Sequence, residues 1–187
     1  MALIFNNASI PQSGAVVYNG TALKNFKYGS TEMWKKSKDI YNTGNQNTAL
    51  TGGFTAYQTY GDGGSGAGTN WNSTNCYQYM LYGGSQAQVR TNNPVSFTGF
   101  STLNLAISAV SGEMGWNGRS RARLMFSSSS SSTVNNPTGS VWADITAATT
   151  ISMRLVGYQS NYYVYWGIST DGGARSCNMT VTRCWLD

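Results

Sequence analysis

The chain has 187 residues, of which 40% are hydrophobic, which is enough to fill the core of one domain of ordinary size. Only 10% of the residues are charged, glycine occurs 22 times and histidine is absent, so the composition excludes a typical helical surface and removes the commonest general base. The net charge of +5 comes from scarce carboxylates and from lysines and arginines in separate parts of the chain, which argues against nucleic-acid binding.

The first 37 residues differ from the rest and contain a short internal repeat. Residues 17–23 (Val-Tyr-Asn-Gly-Thr-Ala-Leu) align with residues 27–33 (Lys-Tyr-Gly-Ser-Thr-Glu-Met), and each copy passes from an aromatic residue through a tight turn to a threonine. Asn19-Gly20 is a strong hairpin signal because both residues tolerate positive φ. We predict a small β-meander over residues 1–37 that serves for docking or attachment. The alternative is that these are simply the first strands of the main domain.

A second block, residues 38–187, alternates apolar and polar side chains between glycine-rich breaks. The segment 103–107 (Leu-Asn-Leu-Ala-Ile) is a clear example, because a period of two places one face of a strand on a core and the other in water. Several such segments predict an all-β domain, a jelly-roll-like β-sandwich. A short helix over residues 141–148 is an alternative within this block. The predicted strands cover residues 54–60, 76–82, 87–91, 102–110, 121–127, 149–158, 162–169 and 179–186.

Long interruptions separate some of these strands: residues 61–69, residues 112–120 and the serine-rich residues 127–139. The first two are rich in glycine, which is typical of loops. The third starts with a run of serines, and we predict that it is a solvated, mobile loop with no role of its own.

Loop aromatics beside amide or charged side chains form the candidate ligand site. Planar rings can stack on the C–H surfaces of sugars, whereas amides and charged groups hold the hydroxyls. Trp71 and Trp116 lie next to asparagines and are the strongest candidates; the alternative is that they plug the open ends of the sandwich. The residues that we predict to bind glycan are Tyr60, Asp62, Trp71, Asn72, Trp116, Asn117, Arg119 and Tyr158.

The sequence carries little of the chemistry that a catalytic or metal site needs. Without histidine there is no Ser-His, Cys-His or His-metal arrangement, and the Asp and Glu residues total only 7. Asp62 and Asp171 precede glycines and are weak calcium candidates, but Asp-Gly pairs are typical of turns. We therefore predict a protein that is not an enzyme and that has no cofactor and no metal.

The cysteines and the N-terminus favour a chain made in a cytosol. Cys76, Cys177 and Cys184 have no metal-ligand spacing and are expected to be small strand residues kept reduced, although a pairing of Cys76 with one of the others is an alternative. The N-terminal apolar run is too short for a signal peptide and lacks a basic start, and no segment approaches the length of a transmembrane helix.

Several short motifs resemble those of tail- and baseplate-associated proteins of phages and prophages of Gram-positive bacteria. Residues 18–21 (Tyr-Asn-Gly-Thr) and 28–34 (Tyr-Gly-Ser-Thr-Glu-Met-Trp) resemble a repeat of these proteins. Residues 39–54 resemble the start of the β-sandwich module that often follows it, with Phe54 where a tryptophan is usual. Residues 97–105 resemble its central strand entry and residues 184–187 its close. The resemblance implies a virion or tail-tip surface protein with a jelly roll similar to carbohydrate-binding modules, but it supplies no binding residues.

These observations lead to a functional hypothesis with two alternatives. We favour a phage virion surface protein, a tail or receptor-binding component that contacts host cell-surface glycan and is assembled in the bacterial cytoplasm. Its expected partners are other virion proteins and host polysaccharide, without nucleic acid or membrane insertion, and we expect a homo-oligomer, with a trimer as the guess. The alternatives are a structural head-fibre, decoration or baseplate subunit without glycan binding, and a small glycan-degrading enzyme.

Overall fold

The computed structural model describes the side chains of residues 37–57, 86–110, 122–134, 147–168 and 178–187, and outside these ranges the backbone of the strands named below. The strands pair in an antiparallel manner throughout the described part of the chain, and those from residue 38 onward form two sheets that enclose a common hydrophobic core. The predicted all-β, jelly-roll-like sandwich is therefore confirmed.

The N-terminal repeat forms hairpins. Tyr18 pairs with Thr21 across the Asn19-Gly20 position, and Tyr28 pairs with Thr31 in the second copy. The separate role of residues 1–37 in docking stays a prediction. The strands described in this region pair as β1 (Ile4–Phe5) with β2 (Ala8–Ser9), β3 (Val16–Tyr18) with β4 (Thr21–Leu23) and β5 (Asn25–Tyr28) with β6 (Thr31–Lys35).

The remaining strands make the sandwich. The first sheet has the order β16-β13-β18-β10-β9, with β7 also paired to β18. The second sheet has the order β15-β14-β17-β11-β8, with β12 also paired to β17. One helical turn, α1 (Thr48–Thr51), lies between β7 and β8. The strands are β7 (Lys38–Asn42), β8 (Phe54–Thr59), β9 (Ala67–Trp71), β10 (Cys76–Met80), β11 (Gln86–Thr91), β12 (Val95–Ser96), β13 (Thr102–Gly112), β14 (Ser120–Ser127), β15 (Val141–Ile145), β16 (Thr149–Arg154), β17 (Asn161–Thr170) and β18 (Cys177–Leu186).

Two segments differ from the sequence-based expectation. Trp71, expected in a loop, is the last residue of β9 and pairs with Cys76 of β10. The helix considered for residues 141–148 is wrong for residues 141–145, because these form β15 and pair with β14. In both cases pairing with a neighbouring strand outweighs the local preference of residues such as Gly68 and Asn70 in β9.

Apolar side chains from both sheets alternate into the core. Trp166 of β17 is fully buried, and its ring lies 5.1 Å from the ring centroid of Phe54 and 5.9 Å from that of Tyr41. The buried residues that alternate on the central strands are Leu103, Leu105 and Ile107 on β13, Leu124 and Phe126 on β14, and Val164, Trp166 and Ile168 on β17.

A glycine-dependent contact fixes the start of β8 beside the end of β11. The left-handed Gly52 (φ +67°) ends α1, and a Cβ added there would lie 2.6 Å from the Asn93 side-chain nitrogen. Asn93 N–H donates to Thr51 O at 2.7 Å, and Asn92 N–H donates to Gly53 O at 2.9 Å. These bonds position β8 as the neighbour of β11, which matters for the site described below.

The strand register keeps the cysteines apart. Cys76 lies opposite Val181 of β18, whereas Cys177 and Cys184 lie at least three residues along β18 from Val181, on the order of 10 Å at the usual strand rise. Disulfides need a Cα separation below about 7 Å. Cys184 is free and buried, and burial raises the pKa of its thiol, so that it stays protonated. No helix in the described part of the chain is long and apolar enough to cross a membrane.

Candidate functional site

The serine-rich segment crosses the outer face of the second sheet. We call residues 127–134 the serine strap. Arg90 of β11 donates a hydrogen bond from Nη1 to the carbonyl of Ser130, and the Tyr165 hydroxyl of β17 donates to the carbonyl of Ser129 at 2.5 Å. Residues 128–131 of the strap are exposed, as expected for a solvated loop, but the carbonyls of Ser129 and Ser130 are hydrogen-bonded to the sheet.

Serine hydroxyls give the strap its internal structure. Ser129 N–H donates to Ser127 Oγ at 3.1 Å, and Ser131 N–H donates to Ser129 Oγ at the same distance. Ser132 Oγ also donates to Ser127 Oγ at 2.8 Å. Short hydroxyl side chains can therefore satisfy the strap's own backbone, which is the physical use of a serine run at this place.

The end of the strap is buried against the same sheet face. The Arg123 guanidinium donates to Val134 O at 2.6 Å, and Val134 N–H donates to Gln88 Oε1 at 2.8 Å. Gln86 Nε2 donates to the same Gln88 oxygen at 2.9 Å. The Val134 side chain packs with Met125 in a small apolar cluster outside the main core. The sheet is thus covered on both sides here.

A groove remains between the strap and strands β8 and β11. Its floor consists of two cross-strand pairs, Thr55 opposite Arg90 and Tyr57 opposite Gln88. Its wall consists of strap residues 130–133, and its volume is about 300 Å³. Tyr57 is 46% exposed, so part of its ring is accessible from the groove. The groove therefore combines an accessible ring with hydroxyl, amide and guanidinium groups.

Arg90 is the charged group among the described residues that line this groove. Its guanidinium lies 5.5 Å from the ring centroid of Tyr163, within the range of a cation–π contact. Its Nε is buried and has no hydrogen-bond partner among the described residues. Beside it, burial raises the pKa of Tyr165, and the Arg90 charge partly lowers it, so that this phenol is neutral at physiological pH and can donate to the strap.

Tyr158 is the one sequence-predicted site residue whose side chain lies in the described part of the chain. It is 37% exposed, and its ring packs edge-on against Phe126 and Tyr162 with centroid distances of 5.0 and 6.1 Å. The neighbouring Gln159 donates to Leu155 O and Phe100 O at 3.1 and 3.2 Å. Tyr158 is not one of the residues that line the groove.

The other predicted residues cannot be placed in a site. Trp71 lies in β9, and its side chain is outside the described residues. The residues Tyr60, Asp62, Asn72, Trp116, Asn117 and Arg119 also lie outside the described residues. Their ligand-binding role stays a prediction.

Sequence reasoning missed the groove, although part of the signal was present. The alternation Gln86-Ala87-Gln88-Val89-Arg90 places three polar side chains on one face of a strand. The register that brings Tyr57 next to Gln88, and the path of the serine strap across both, are long-range features that no local pattern contains.

The carboxylates that the structure describes do not form a catalytic pair. Asp39 accepts from Arg183 Nε at 2.8 Å and lies 2.6 Å from Arg183 Nη2. Asp187 Oδ2 accepts from the Trp185 indole N–H at 3.1 Å. Among the described residues, no group of three or more His, Cys, Asp or Glu side chains could hold a metal ion.

Comparisons with known proteins concern the fold alone. No protein-family model matches the sequence, and no curated protein matches it either. A glycoside hydrolase domain of Endo-D from Streptococcus pneumoniae R6 is similar at 14% identity and a TM-score of 0.48, over 72% of this chain and 21% of that one. A family 11 carbohydrate-binding module from Clostridium thermocellum is similar at 7% identity and a TM-score of 0.43, over 71% of this chain and 87% of that one. The enzymatically active domain of bacteriophage CBA120 tailspike protein 4 is similar at 11% identity and a TM-score of 0.46, over 80% of this chain and 21% of that one. The chain thus spans about a fifth of the first and third structures.

Proposed function

We propose that the sandwich binds a glycan in the groove between the serine strap and strands β8 and β11. The observation that carries the proposal is the exposed ring of Tyr57 within a set of polar groups. An aromatic face contributes by dispersion and release of water against a sugar C–H surface. The Gln88 amide, the Arg90 guanidinium and the strap hydroxyls can then orient the sugar hydroxyls.

The shape of the groove fits part of a polymer. Its volume of about 300 Å³ lies at the lower end of the range for ligand pockets. Strand β8, which carries Tyr57, is the last strand in the order of the second sheet, so the groove lies at the side of the sandwich. A short stretch of a polysaccharide could occupy it while the rest of the polymer continues into solvent.

The proposed setting is the surface of a bacteriophage particle. Its support is the resemblance of residues 18–54 to tail- and baseplate-associated proteins. In this proposal residues 1–37 attach the chain to other virion proteins, the chain forms a homo-trimer, and the sandwich contacts host cell-surface polysaccharide without catalysis. Mass spectrometry of purified particles tests this setting, and absence of the chain from particles would contradict it.

Binding itself is tested with two exposed tyrosines. Tyr57→Ala removes the ring inside the groove, whereas Tyr158→Ala removes a comparably exposed ring outside it. We expect Tyr57→Ala to weaken binding of the full chain to its best polysaccharide on a glycan array by about tenfold, or roughly 1.4 kcal/mol. Tyr158→Ala should change affinity by less than about twofold on the same scale.

The result also separates the alternatives. Loss of binding in Tyr158→Ala with normal binding in Tyr57→Ala would move the site to the loops predicted from the sequence. Absence of binding to any polysaccharide or to intact cells, with the chain present in particles, would favour a head-fibre, decoration or baseplate subunit.

A further inference from the structure

Arg90 is half-buried, and neither of the two carboxylates in the described part of the chain, Asp39 and Asp187, is paired with it. Among the described residues that line the groove it is the charged one, and no described carboxylate contacts it. One N–H of its guanidinium donates to Ser130 O, and Tyr163 lies under the charged group. Neutral acceptors and an aromatic face compensate desolvation of a cation only in part, so an anion placed here would be stabilised.

Arg183 of β18, on the first sheet, is an arginine with a structural role and serves for comparison. Its guanidinium is paired with Asp39 at 2.6 Å and lies 4.5 Å from the ring centroid of Trp185. Both arginines are thus placed on an aromatic ring, but only Arg183 has a carboxylate beside it among the described residues.

We infer that the groove recognises an anionic glycan, one that carries carboxylate or phosphate groups, through the Arg90 guanidinium beside the Tyr57 ring. The inference rests on the proposed glycan-binding function. Guanidinium presents planar paired donors that match carboxylate and phosphate oxygens. The net charge of +5 acts in the same direction, because it attracts a polyanion over a longer range.

The first test compares charged and neutral polymers on the full chain. The probes are polygalacturonate and hyaluronan for carboxylate, phosphomannan for phosphate, and mannan and β-glucan as neutral polymers, within an array of bacterial wall polysaccharides. The best-binding charged polymer is then tested again after carboxyl reduction or dephosphorylation. We expect binding to a charged polymer that falls at least about tenfold after neutralisation and weakens with added salt. A loss of binding after carboxyl reduction identifies a carboxylate as the recognised group, and a loss after dephosphorylation identifies a phosphate.

The second test uses charge-removing variants in pairs. Arg90→Gln should lose at least about tenfold in affinity for the charged polymer and lose part of its salt dependence. Arg154→Gln removes the same charge from an exposed position on β16 in the opposite sheet and should change affinity less than about twofold. Arg90→Lys keeps the charge without the paired donors and should bind with intermediate affinity. This variant still tests the inference if thermal unfolding shows that Arg90→Gln is poorly folded.

The outcomes separate this inference from the proposed function. Binding to neutral polymers that depends on Tyr57 but not on Arg90 would overturn the anionic specificity and leave glycan binding intact. Equal effects of Arg90→Gln and Arg154→Gln would also overturn it, because general charge attraction would then suffice. Absence of binding to every polymer would overturn the proposed function and this inference with it.

Discussion

The outer faces of the two sheets use polar side chains in opposite ways. On the first sheet, Asp39 of β7 accepts bonds from Arg183 of β18, and Asn42 Nδ2 also donates to Asp39 at 3.0 Å. Trp185 donates to Asp187, and Arg183 covers the Trp185 ring. Each of these charged groups therefore has a partner on a neighbouring strand or at the chain end.

Hydrogen bonds between polar side chains also connect other strands of the first sheet. Asn104 of β13 is buried and donates to Thr102 Oγ1 at 3.2 Å, while Ser152 of β16 donates to Asn104 Oδ1 at 2.6 Å. On the second sheet the corresponding face has a groove, an exposed tyrosine and an arginine without a carboxylate among the described residues. A face with internally satisfied polar groups holds strands together, whereas a face with spare donors beside an exposed ring is suited to a ligand.

The largest expected effect concerns the register on which the groove depends. Gly167 of β17 lies so close to β11 that an added Cβ would be 2.4 Å from Ala87 O and 2.8 Å from the Gln88 Cα. Gly167→Ala should therefore lower the free energy of unfolding by about 3 kcal/mol, since backbone must move. Chemical denaturation followed by tryptophan fluorescence measures this.

Gly157→Ala is the matched control for that substitution. Gly157 has φ +85° but no atom within 4 Å of an added Cβ, so the cost is left-handed strain alone, about 1 kcal/mol. If Gly167→Ala were no more destabilising than Gly157→Ala, the pairing of β11 with β17 would be wrong. The placement of Gln88 and Arg90 on the groove face would then be wrong too.

The next-largest expected effect distinguishes the outer face of the first sheet from that of the second. Asp39→Asn removes the carboxylate charge that pairs with Arg183, and both side chains are about one-third exposed, at 32% and 37%. We expect a loss of about 1 kcal/mol in unfolding free energy, which solvent screening keeps modest, and unchanged glycan affinity. Arg90→Gln should instead weaken glycan binding, together with a loss of stability from the removed bond to Ser130 O. A binding defect in Asp39→Asn would show that the first sheet also takes part in recognition.

The fold could be predicted from the sequence because its signals are local. Leu103, Leu105 and Ile107 alternate with polar residues on β13, and the predicted strand at residues 102–110 lies within the observed β13. Strand β15 was missed because Ala143 and Asp144 carry no strand preference of their own and depend on pairing with β14. Local periodicity thus identifies strands with a buried face but not those defined by a neighbour.

The candidate site could not be predicted in the same way. The glycine-rich segments with tryptophans have a composition that is typical of binding loops, whereas Tyr57 and Arg90 are single residues in ordinary strands. Their importance arises from the register of β8 against β11 and from a strap that returns after β14. Both are tertiary features, and the serine run contained no indication that its carbonyls would be bound by Arg90 and Tyr165.

The smallest expected effect tests whether the serine strap depends on Tyr165. Burial raises the pKa of this phenol above its ordinary value of about 10, so the folded protein retains the proton after the unfolded chain has begun to lose it. The stabilisation is therefore fully present below about pH 10 and declines as the pH rises through the folded pKa. Tyr165→Phe removes this contribution together with the hydrogen bond to Ser129 O, at a cost of about 1 kcal/mol near pH 8.

The measurement is the unfolding free energy of both proteins between about pH 8 and pH 11. Other tyrosines and the lysines titrate in both proteins alike, so the difference between the two curves isolates Tyr165. We expect that difference to shrink as the pH rises, because deprotonation costs the native protein the bond that the variant already lacks. A constant difference over this interval would mean that the phenol titrates as it does in water. In that case Tyr165 does not anchor the strap, and the wall of the groove is held by Arg90, Arg123 and Gln88 alone among the described contacts.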